Sequence, residues 1–236
     1  FPQLFFPSAD STNSVLLSLA TFSIAFLSRP IGSAVFGHYG DKIGRKTTLV
    51  IALLTMGIST VCIGFLPSYA SIGIAAPLLL MLCRFGQGVG LGGEWGGAVL
   101  LAIENAPPNK RAWYGMFPQL GAPIGLLLSG GVFLLLTDTM TAEAFIDYGW
   151  RIPFIASSLL VLVGFYIRLN ITETPAFENA KEEKSEIKIP FLTLIKFYKN
   201  QLIFGSLAAM TTFLLFYLMT VFTLSWATSD LDYSKR

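Results

Sequence analysis

The sequence predicts an all-α, polytopic membrane helix bundle, and three observations support this fold class. Of the 236 residues, 53% are hydrophobic and only 13% are charged, whereas soluble domains carry about 25% charged residues. The apolar residues form long runs, many of them near the roughly 20 residues that a helix needs to cross a bilayer core. The lysines and arginines gather in every second link between these runs. The length of the runs argues against the alternative, a soluble domain with a large apolar core.

Charges, prolines and glycines divide the apolar sequence into six candidate spans. The predicted spans are residues 11–36, 47–66, 74–103, 112–136, 151–169 and 201–225. Pro67 and Gly73 separate the second span from the third, because proline and glycine mark turns. Residues 104–111, which include two adjacent prolines, form the next turn, and residues 137–150 form a loop.

The distribution of basic residues orients the six spans. Eleven lysines and arginines lie in the odd-numbered links: Lys42, Arg45, Lys46, Lys110, Arg111, Arg168, Lys181, Lys184, Lys188, Lys196 and Lys199. The opposite side carries only Arg151, Lys235 and Arg236. Because basic residues concentrate on the cytoplasmic side, we expect residues 37–46 to face the cytoplasm and the acidic loop 137–150 to face outward. The predicted location is the cell's inner membrane, with several spans.

Composition also argues against several classes of function. The basic residues are scattered and form no stripe for nucleic acid. The single histidine and the two cysteines, which lie inside apolar runs, predict neither a metal site nor a disulfide. No phosphate loop or nucleophile–base pair stands out. We therefore predict that the protein is not an enzyme, needs no cofactor and binds no nucleic acid.

The link GHYGDKIGRK, residues 37–46, combines three glycines, a carboxylate and basic side chains. Anchoring at the membrane surface would explain Lys42, Arg45 and Lys46. It would not explain Asp41 or the glycine spacing. A carboxylate at the membrane face pairs with an arginine or with a helix N-terminus, so Arg45 is the expected partner of Asp41.

The third span contains charged and polar side chains inside an apolar run. A charge at the centre of a membrane helix costs about 2.5–3.5 kcal/mol on insertion scales, so it needs a partner or a water-filled cavity. Arg84 and Glu94 lie about 15 Å apart along a helix, too far for a direct pair, and Gln87 completes a polar stripe with them. Glycines spaced by four residues allow another helix to approach closely. These glycines are Gly88, Gly92 and Gly96.

The residues alone leave the roles of these charges open. Arg84 can bind a substrate anion or couple to protons, or it can form an interhelical salt bridge or cap backbone carbonyls. Glu94 can load and release a proton, or it can hydrogen-bond a neighbouring helix. Arg29 can reach a central cavity or form a structural pair.

Several segments resemble the major facilitator superfamily. The link resembles the signature between its second and third helices, with Lys42 where arginine is usual; the matching positions are Gly37, Gly40, Asp41, Gly44, Arg45 and Lys46. RFGQGVGLGGEWGGA, residues 84–98, resembles the fourth helix in the metabolite–proton symporter branch. SRPIG, ENAPPNKR and QLGAPIG resemble the same branch. This branch includes carriers of oxoglutarate, citrate, shikimate, proline and betaine.

The resemblance implies that the chain covers about half of a twelve-helix fold. Residues 1–10 would hold the end of helix one and an outer loop, and residues 11–170 the N-terminal transport bundle, helices two to six. Residues 171–200 would form the cytoplasmic linker between the halves, and residues 201–236 helix seven and an outer tail. Since the sequence begins with Phe, we expect a fragment whose partners include the lipid bilayer and the C-terminal half of the same carrier.

The resemblance also implies proton-coupled symport of a small organic acid or zwitterionic metabolite by alternating access. The substrate and proton pathway would contain Arg29, Arg84, Gln87 and Glu94. A cytoplasmic ionic gate would combine the six matching positions of the link with Glu104, Arg111, Arg168 and Glu173. The alternative functions are an uncoupled facilitator and a membrane sensor or structural subunit that transports nothing.

Overall fold

The computed structural model describes residues 2–7, 11–171, 195–219 and 223 of the chain. The chain divides into two compact units, Phe1–Glu186 and Ile187–Arg236, each of which is considered by itself. Every regular element within the described ranges is helical. The predicted all-α class is therefore confirmed.

Five long helices and three short helices form the described part of the first unit. They are α1 Pro2–Phe5, α2 Ser11–Ile43, α3 Arg45–Phe65, α4 Tyr69–Ile72, α5 Ala75–Glu104, α6 Arg111–Thr139, α7 Ala142–Asp147 and α8 Ile152–Leu169. Short 3-10 turns precede α6 at Pro108–Lys110 and α8 at Gly149–Arg151. The second unit contains α9, Lys199–Tyr217.

Five of the described helices are long and apolar enough to cross a membrane. Their spans are Leu16–Ile43, Arg45–Phe65, Ala75–Glu104, Pro108–Thr139 and Gly149–Leu169. Each of them overlaps one of the first five predicted spans, so the prediction of a multi-pass membrane bundle is confirmed. The sixth, residues 201–225, overlaps α9, which is not among the five. Part of that span, and most of the predicted linker 171–200, lies outside the described residues, and both remain predictions.

The boundary between α2 and α3 differs from the predicted link. The sequence predicts a break over residues 37–46, but α2 continues to Ile43 and α3 begins at Arg45. Most of the predicted link is therefore helical, and that prediction is wrong. A glycine weakens a helix by only about 1 kcal/mol, which the packing of α2 along α5 offsets. Gly44 alone separates the two helices, with a φ of 103° and a ψ of 148°.

Gly44→Ala is expected to destabilise the full-length protein by about 1–3 kcal/mol, because its φ and ψ lie in a region that essentially only glycine adopts. Gly37→Ala is the matched control, since Gly37 lies inside α2 and a Cβ there would meet no described atom within 4 Å. Thermal unfolding in detergent measures both. Equal melting temperatures for the two variants would show that the Gly44 conformation carries no strain.

The segment between α6 and α8 also contains more helix than predicted. The sequence predicts a loop over residues 137–150, but α6 continues to Thr139 and α7 forms within the segment. Thr141 caps α7, since its hydroxyl oxygen accepts a hydrogen bond from the Ala144 amide at 3.3 Å. Glu143 in the first turn also favours the helix N-terminus. Capping by Thr141 thus allows a helix to form in a segment whose polar composition is typical of a loop.

α5 lies at the centre of the first unit and packs along both α2 and α3, while α8 packs on α3. Glycines make the contact with α2 unusually close. A Cβ at Gly88 would overlap the carbonyl oxygen of Ala25, and a Cβ at Gly92 would overlap that of Arg29. A Cβ at Gly96 would meet no described atom within 4 Å. The predicted glycine face is therefore a packing face at two of its three positions.

Aromatic side chains close the end of the bundle away from Gly44. Trp150 is buried and packs edge-on against Phe5, with ring centroids 5.8 Å apart. Arg151 lies over the Trp150 ring at 4.5 Å and donates a hydrogen bond to the Leu66 carbonyl at 3.3 Å. These contacts fix the start of α8 against the end of α3, which sets the position of the opposite end of α8.

Candidate functional site

A chain of hydrogen bonds joins α5 to α3 within the membrane-spanning segments. Arg84 Nη1 donates to Oε1 of Gln87 at 3.0 Å, and Gln87 Nε2 donates to the hydroxyl of Thr60 at 2.7 Å. Thr60 in turn donates to the Met56 carbonyl at 2.8 Å. Because both ends of the Gln87 amide are bonded, Gln87 fixes one side of the Arg84 guanidinium.

The Arg84 guanidinium also stacks on an aromatic ring of α2. Its Cζ lies 4.3 Å from the centroid of the Phe22 ring. One turn further along α2, Arg29 repeats the arrangement, with its Cζ 4.1 Å from the centroid of the Phe26 ring. Arg29 Nε is buried and has no hydrogen-bond partner among the described residues. The structure thus brings Arg29 and Arg84 to neighbouring rings on one helix.

Glu94 does not join this chain of bonds, because it pairs with Arg168 on α8. Arg168 Nη2 bonds Oε1 of Glu94, and Arg168 Nη1 donates to the Leu49 carbonyl at 2.8 Å. The two side chains are only 17% and 19% exposed. Arg168 therefore ties the last turn of α8 to both α3 and α5. The sequence assigned Glu94 to the pathway and Arg168 to the gate, and the structure brings these two residues together.

A second group of charges lies at the end of the bundle that contains Gly44, here called the basic end. Arg45 forms an ion pair with Glu104 of α5 at 3.0 Å. It also lies 3.9 Å from Asp41, whose side chain is half exposed. Lys46 donates to the Leu169 carbonyl at 2.7 Å. The expected Asp41–Arg45 contact is therefore present but loose, and Glu104 is the closer partner.

The remaining predicted gate residues do not join these contacts. Gly37 and Gly40 lie inside α2, where a Cβ at Gly40 would lie 3.4 Å from the Thr48 hydroxyl oxygen. Arg111 is exposed in the first turn of α6 and forms no ion pair with a described residue. Glu173 lies outside the described residues.

Three participants were missed at the level of sequence: Thr60, Phe22 and Phe26. Thr60 carries no distinguishing signal, because a threonine in a helix commonly bonds the carbonyl four residues before it. Phe22 and Phe26 do carry a sequence signal, because they lie four residues apart on the span that also contains Arg29. Aromatic rings at that spacing beside an intramembrane arginine indicate a cation–π arrangement.

Comparison with known proteins identifies the family. The family model described as Sugar (and other) transporter matches residues 3–189. The chain belongs to the major facilitator superfamily. It is 58% identical over 229 residues to an inner membrane metabolite transport protein of Escherichia coli K12, covering 97% of this chain and 52% of the relative. It is 39% identical over 238 residues to the E. coli shikimate transporter, covering 100% of this chain and 54% of the relative.

A solved structure shares this fold. The xylose transporter XylE of E. coli, in a partially occluded inward-open conformation, superposes with a TM-score of 0.67 at 22% identity. The match covers 76% of this chain and 44% of that one. This major facilitator chain thus spans about half the length of the curated relatives it matches.

Membership of the superfamily bears on two of the general predictions. The carrier family and its inner membrane relative agree with a multi-pass protein of the inner membrane. They also place this major facilitator chain among carriers and not among enzymes. The fold and the class of protein were therefore predicted correctly.

Proposed function

We propose that this chain is the N-terminal part of a carrier that moves a small organic acid or a zwitterionic metabolite together with protons, by alternating access. The observation that carries the proposal is the Arg84 guanidinium, bonded to Gln87 and stacked on Phe22 inside membrane-spanning helices. A charge at that depth costs several kcal/mol unless it faces a partner or a wet cavity. The planar N–H donors of the Arg84 guanidinium are suited to binding a substrate carboxylate.

The Glu94–Arg168 pair supports the proton-coupled part of the proposal. Protonation of Glu94 would remove the negative charge that holds Arg168, and the last turn of α8 would lose this bond to α5. A proton would thereby change how α8 packs on the rest of the bundle. Coupling of a proton to transport needs such a link between one titrating group and a moving element.

The ion pairs of the basic end support alternating access. Arg45–Glu104 joins α3 to α5, while the looser Arg45–Asp41 contact joins α3 to the end of α2. Arg45 and Glu104 are only 18% and 17% exposed, whereas Asp41 is half exposed, so the Arg45–Asp41 contact is the weak one, at about 0–1 kcal/mol. A contact of that strength can form in one state of the carrier and break in the other, as alternating access requires.

Uptake by the full-length protein in proteoliposomes tests the proposal. We expect an inward proton gradient to drive accumulation of at least one radiolabelled organic acid or zwitterion, because proton entry is coupled to substrate entry. A protonophore should abolish the accumulation. Uptake that is unchanged by the protonophore would identify an uncoupled facilitator instead. Failure to move any compound in a broad panel of acids and zwitterions would favour a sensor or structural subunit.

A further inference from the structure

We infer that Thr60 is a positioning residue for substrate binding, because its hydroxyl holds the Gln87 amide with the oxygen towards the Arg84 guanidinium. Thr60 acts on Arg84 through Gln87. The inference rests on the proposed function, since the contact affects transport only if Arg84 binds a carboxylate. Three features of the described residues carry it: the direction of the hydrogen bonds, the bonds that a reversed amide would lose, and the close packing of α3 on α5 around them.

The first feature is the direction of the hydrogen bonds. A threonine hydroxyl has one proton to donate, and a guanidinium donates but cannot accept. Thr60 donates its proton to the Met56 carbonyl at 2.8 Å, so towards Gln87 its oxygen can only accept. Arg84 Nη1 donates at 3.0 Å, so it requires an acceptor. One neighbour of Gln87 therefore requires the NH2 end of the amide, and the other requires the oxygen.

The second feature is what a reversed amide would lose. Its NH2 group would point at the Arg84 guanidinium, where two donors would face each other. Its oxygen could accept from Thr60 only if the hydroxyl gave up the Met56 carbonyl. The reversed amide would therefore lose two of the side-chain bonds of this chain and keep one. Because donors and acceptors away from water are costly to leave unpaired, the hydroxyl and the guanidinium together select one orientation of the amide.

The third feature is that α3 and α5 are held together at this level by contacts that do not involve Thr60. A Cβ at Gly86 would overlap a side chain of α3, and a Cβ at Gly90 would lie 2.7 Å from the backbone nitrogen of Met56. These two glycines flank Gln87 in the sequence and let the helices approach closely. Loss of the Thr60 hydroxyl should therefore release the Gln87 amide and leave the bundle in place.

The release of Gln87 has a consequence for Arg84. Without the Thr60 acceptor, the Gln87 NH2 group would be satisfied only if the side chain rotated to reach another acceptor, and that rotation would withdraw the amide oxygen from Arg84. The guanidinium would then be held less firmly in the orientation that binds a carboxylate. A residue that supports a binding group in this way affects the binding of substrate more than the rate of turnover.

Nuclear magnetic resonance of the full-length carrier with isotope-labelled glutamine, in detergent, tests the contact without any substrate. Gln87→Leu identifies the side-chain amide signal of Gln87 by its loss. We expect Thr60→Val to accelerate hydrogen exchange of that amide about tenfold or more, because its donor loses the acceptor. Thr60→Ser, which keeps the hydroxyl, should restore the original rate. Thr55→Val is the matched control, since Thr55 bonds the Ile51 carbonyl in the same way at 2.8 Å, and it should leave the rate unchanged.

Uptake by the same variants in proteoliposomes, with an inward proton gradient, tests the role in binding. The probes are radiolabelled lactate, malate, proline and betaine, each measured separately. For every probe that is taken up, Thr60→Val should raise KM about fivefold and change kcat less than about twofold, because one hydrogen bond of ordinary strength is lost. In a Gln87→Leu background, Thr60→Val should raise KM no further, since Thr60 acts through Gln87.

The outcomes separate this inference from the function on which it rests. Equal exchange rates of the Gln87 amide in the unmodified carrier and in Thr60→Val overturn the inference. A lower kcat at unchanged KM, or a further rise of KM in the Gln87→Leu background, also overturns it. No proton-driven uptake of any acid or zwitterion overturns the proposed function and the role of Thr60 in transport, while the exchange rates still decide the contact. If Thr60→Val fails to fold, the unmodified carrier decides, because a Gln87 amide that exchanges as fast as free glutamine excludes the contact.

Discussion

Gly92→Ala is expected to prevent the full-length carrier from accumulating as a stable bundle, whereas Gly96→Ala is expected to be tolerated. A Cβ at Gly92 would overlap the carbonyl oxygen of Arg29, and a backbone atom cannot turn aside as a side chain can. α2 and α5 would have to separate along their whole contact. Overpacking of this kind costs typically 1–3 kcal/mol and occasionally more, a large part of the stability of most proteins.

Gly96 is the matched control for this experiment. It lies on the same helix, four residues further along, and a Cβ there meets no described atom within 4 Å. Alanine also favours the helix by up to about 1 kcal/mol relative to glycine. Yield from gel filtration and the thermal unfolding temperature in detergent measure both variants. If Gly92→Ala is as stable as Gly96→Ala, the close approach of α2 and α5 is not required.

Arg168→Met is expected to destabilise the carrier by about 3 kcal/mol, and adding Glu94→Gln is expected to restore most of that loss. Removing one member of a buried ion pair leaves the other charge unpaired, whereas removing both can be nearly neutral. The two side chains are less than one-fifth exposed, so the lower end of the range for buried pairs applies. Unfolding of the two single variants and the double variant forms a thermodynamic cycle that isolates the pair.

The same variants separate stability from proton coupling. The double variant should be stable yet unable to accumulate substrate against a gradient, because it lacks the proposed proton-loading carboxylate. Lys46→Met is a suitable control, since Lys46 reaches the same end of α8 through an exposed bond to the Leu169 carbonyl and its loss should cost about 1 kcal/mol or less. Proton-driven accumulation by the double variant would exclude Glu94 as the coupling site.

The spans were predictable from sequence because each depends on a local property. A run of about 20 apolar residues can satisfy its backbone groups in lipid only as a helix or a closed barrel, so no tertiary information is needed. The link at residues 37–46 was not predictable in the same way. Its glycines are typical of loops, but the packing of α2 along α5 keeps Gly37 and Gly40 helical. Only Gly44, with its positive φ, ends the helix.

The site residues divide by how far apart their partners lie in the sequence. Arg84 and Gln87 lie three residues apart, so the helical period alone places them together. Glu94 and Arg168 are separated by 74 residues, and the register of α8 against α5 depends on packing that no periodic pattern encodes. Thr60, the partner of Gln87, lies on another helix, so this contact also depends on how the helices pack. The contact between Arg84 and Gln87 was therefore predictable, whereas the choice of partner across helices, including that of Glu94, was not.

The way in which α8 is anchored determines which of its contacts constrain the sequences of related proteins. Arg151, Arg168 and Lys46 bond the carbonyl oxygens of Leu66, Leu49 and Leu169. Every amino acid supplies such an oxygen, so the acceptor positions can change side chain during evolution without losing the anchor. Covariation between homologous sequences would consequently leave these three contacts unmarked. It would mark the Glu94–Arg168 pair, where both partners are side chains and a change in one requires a matching change in the other.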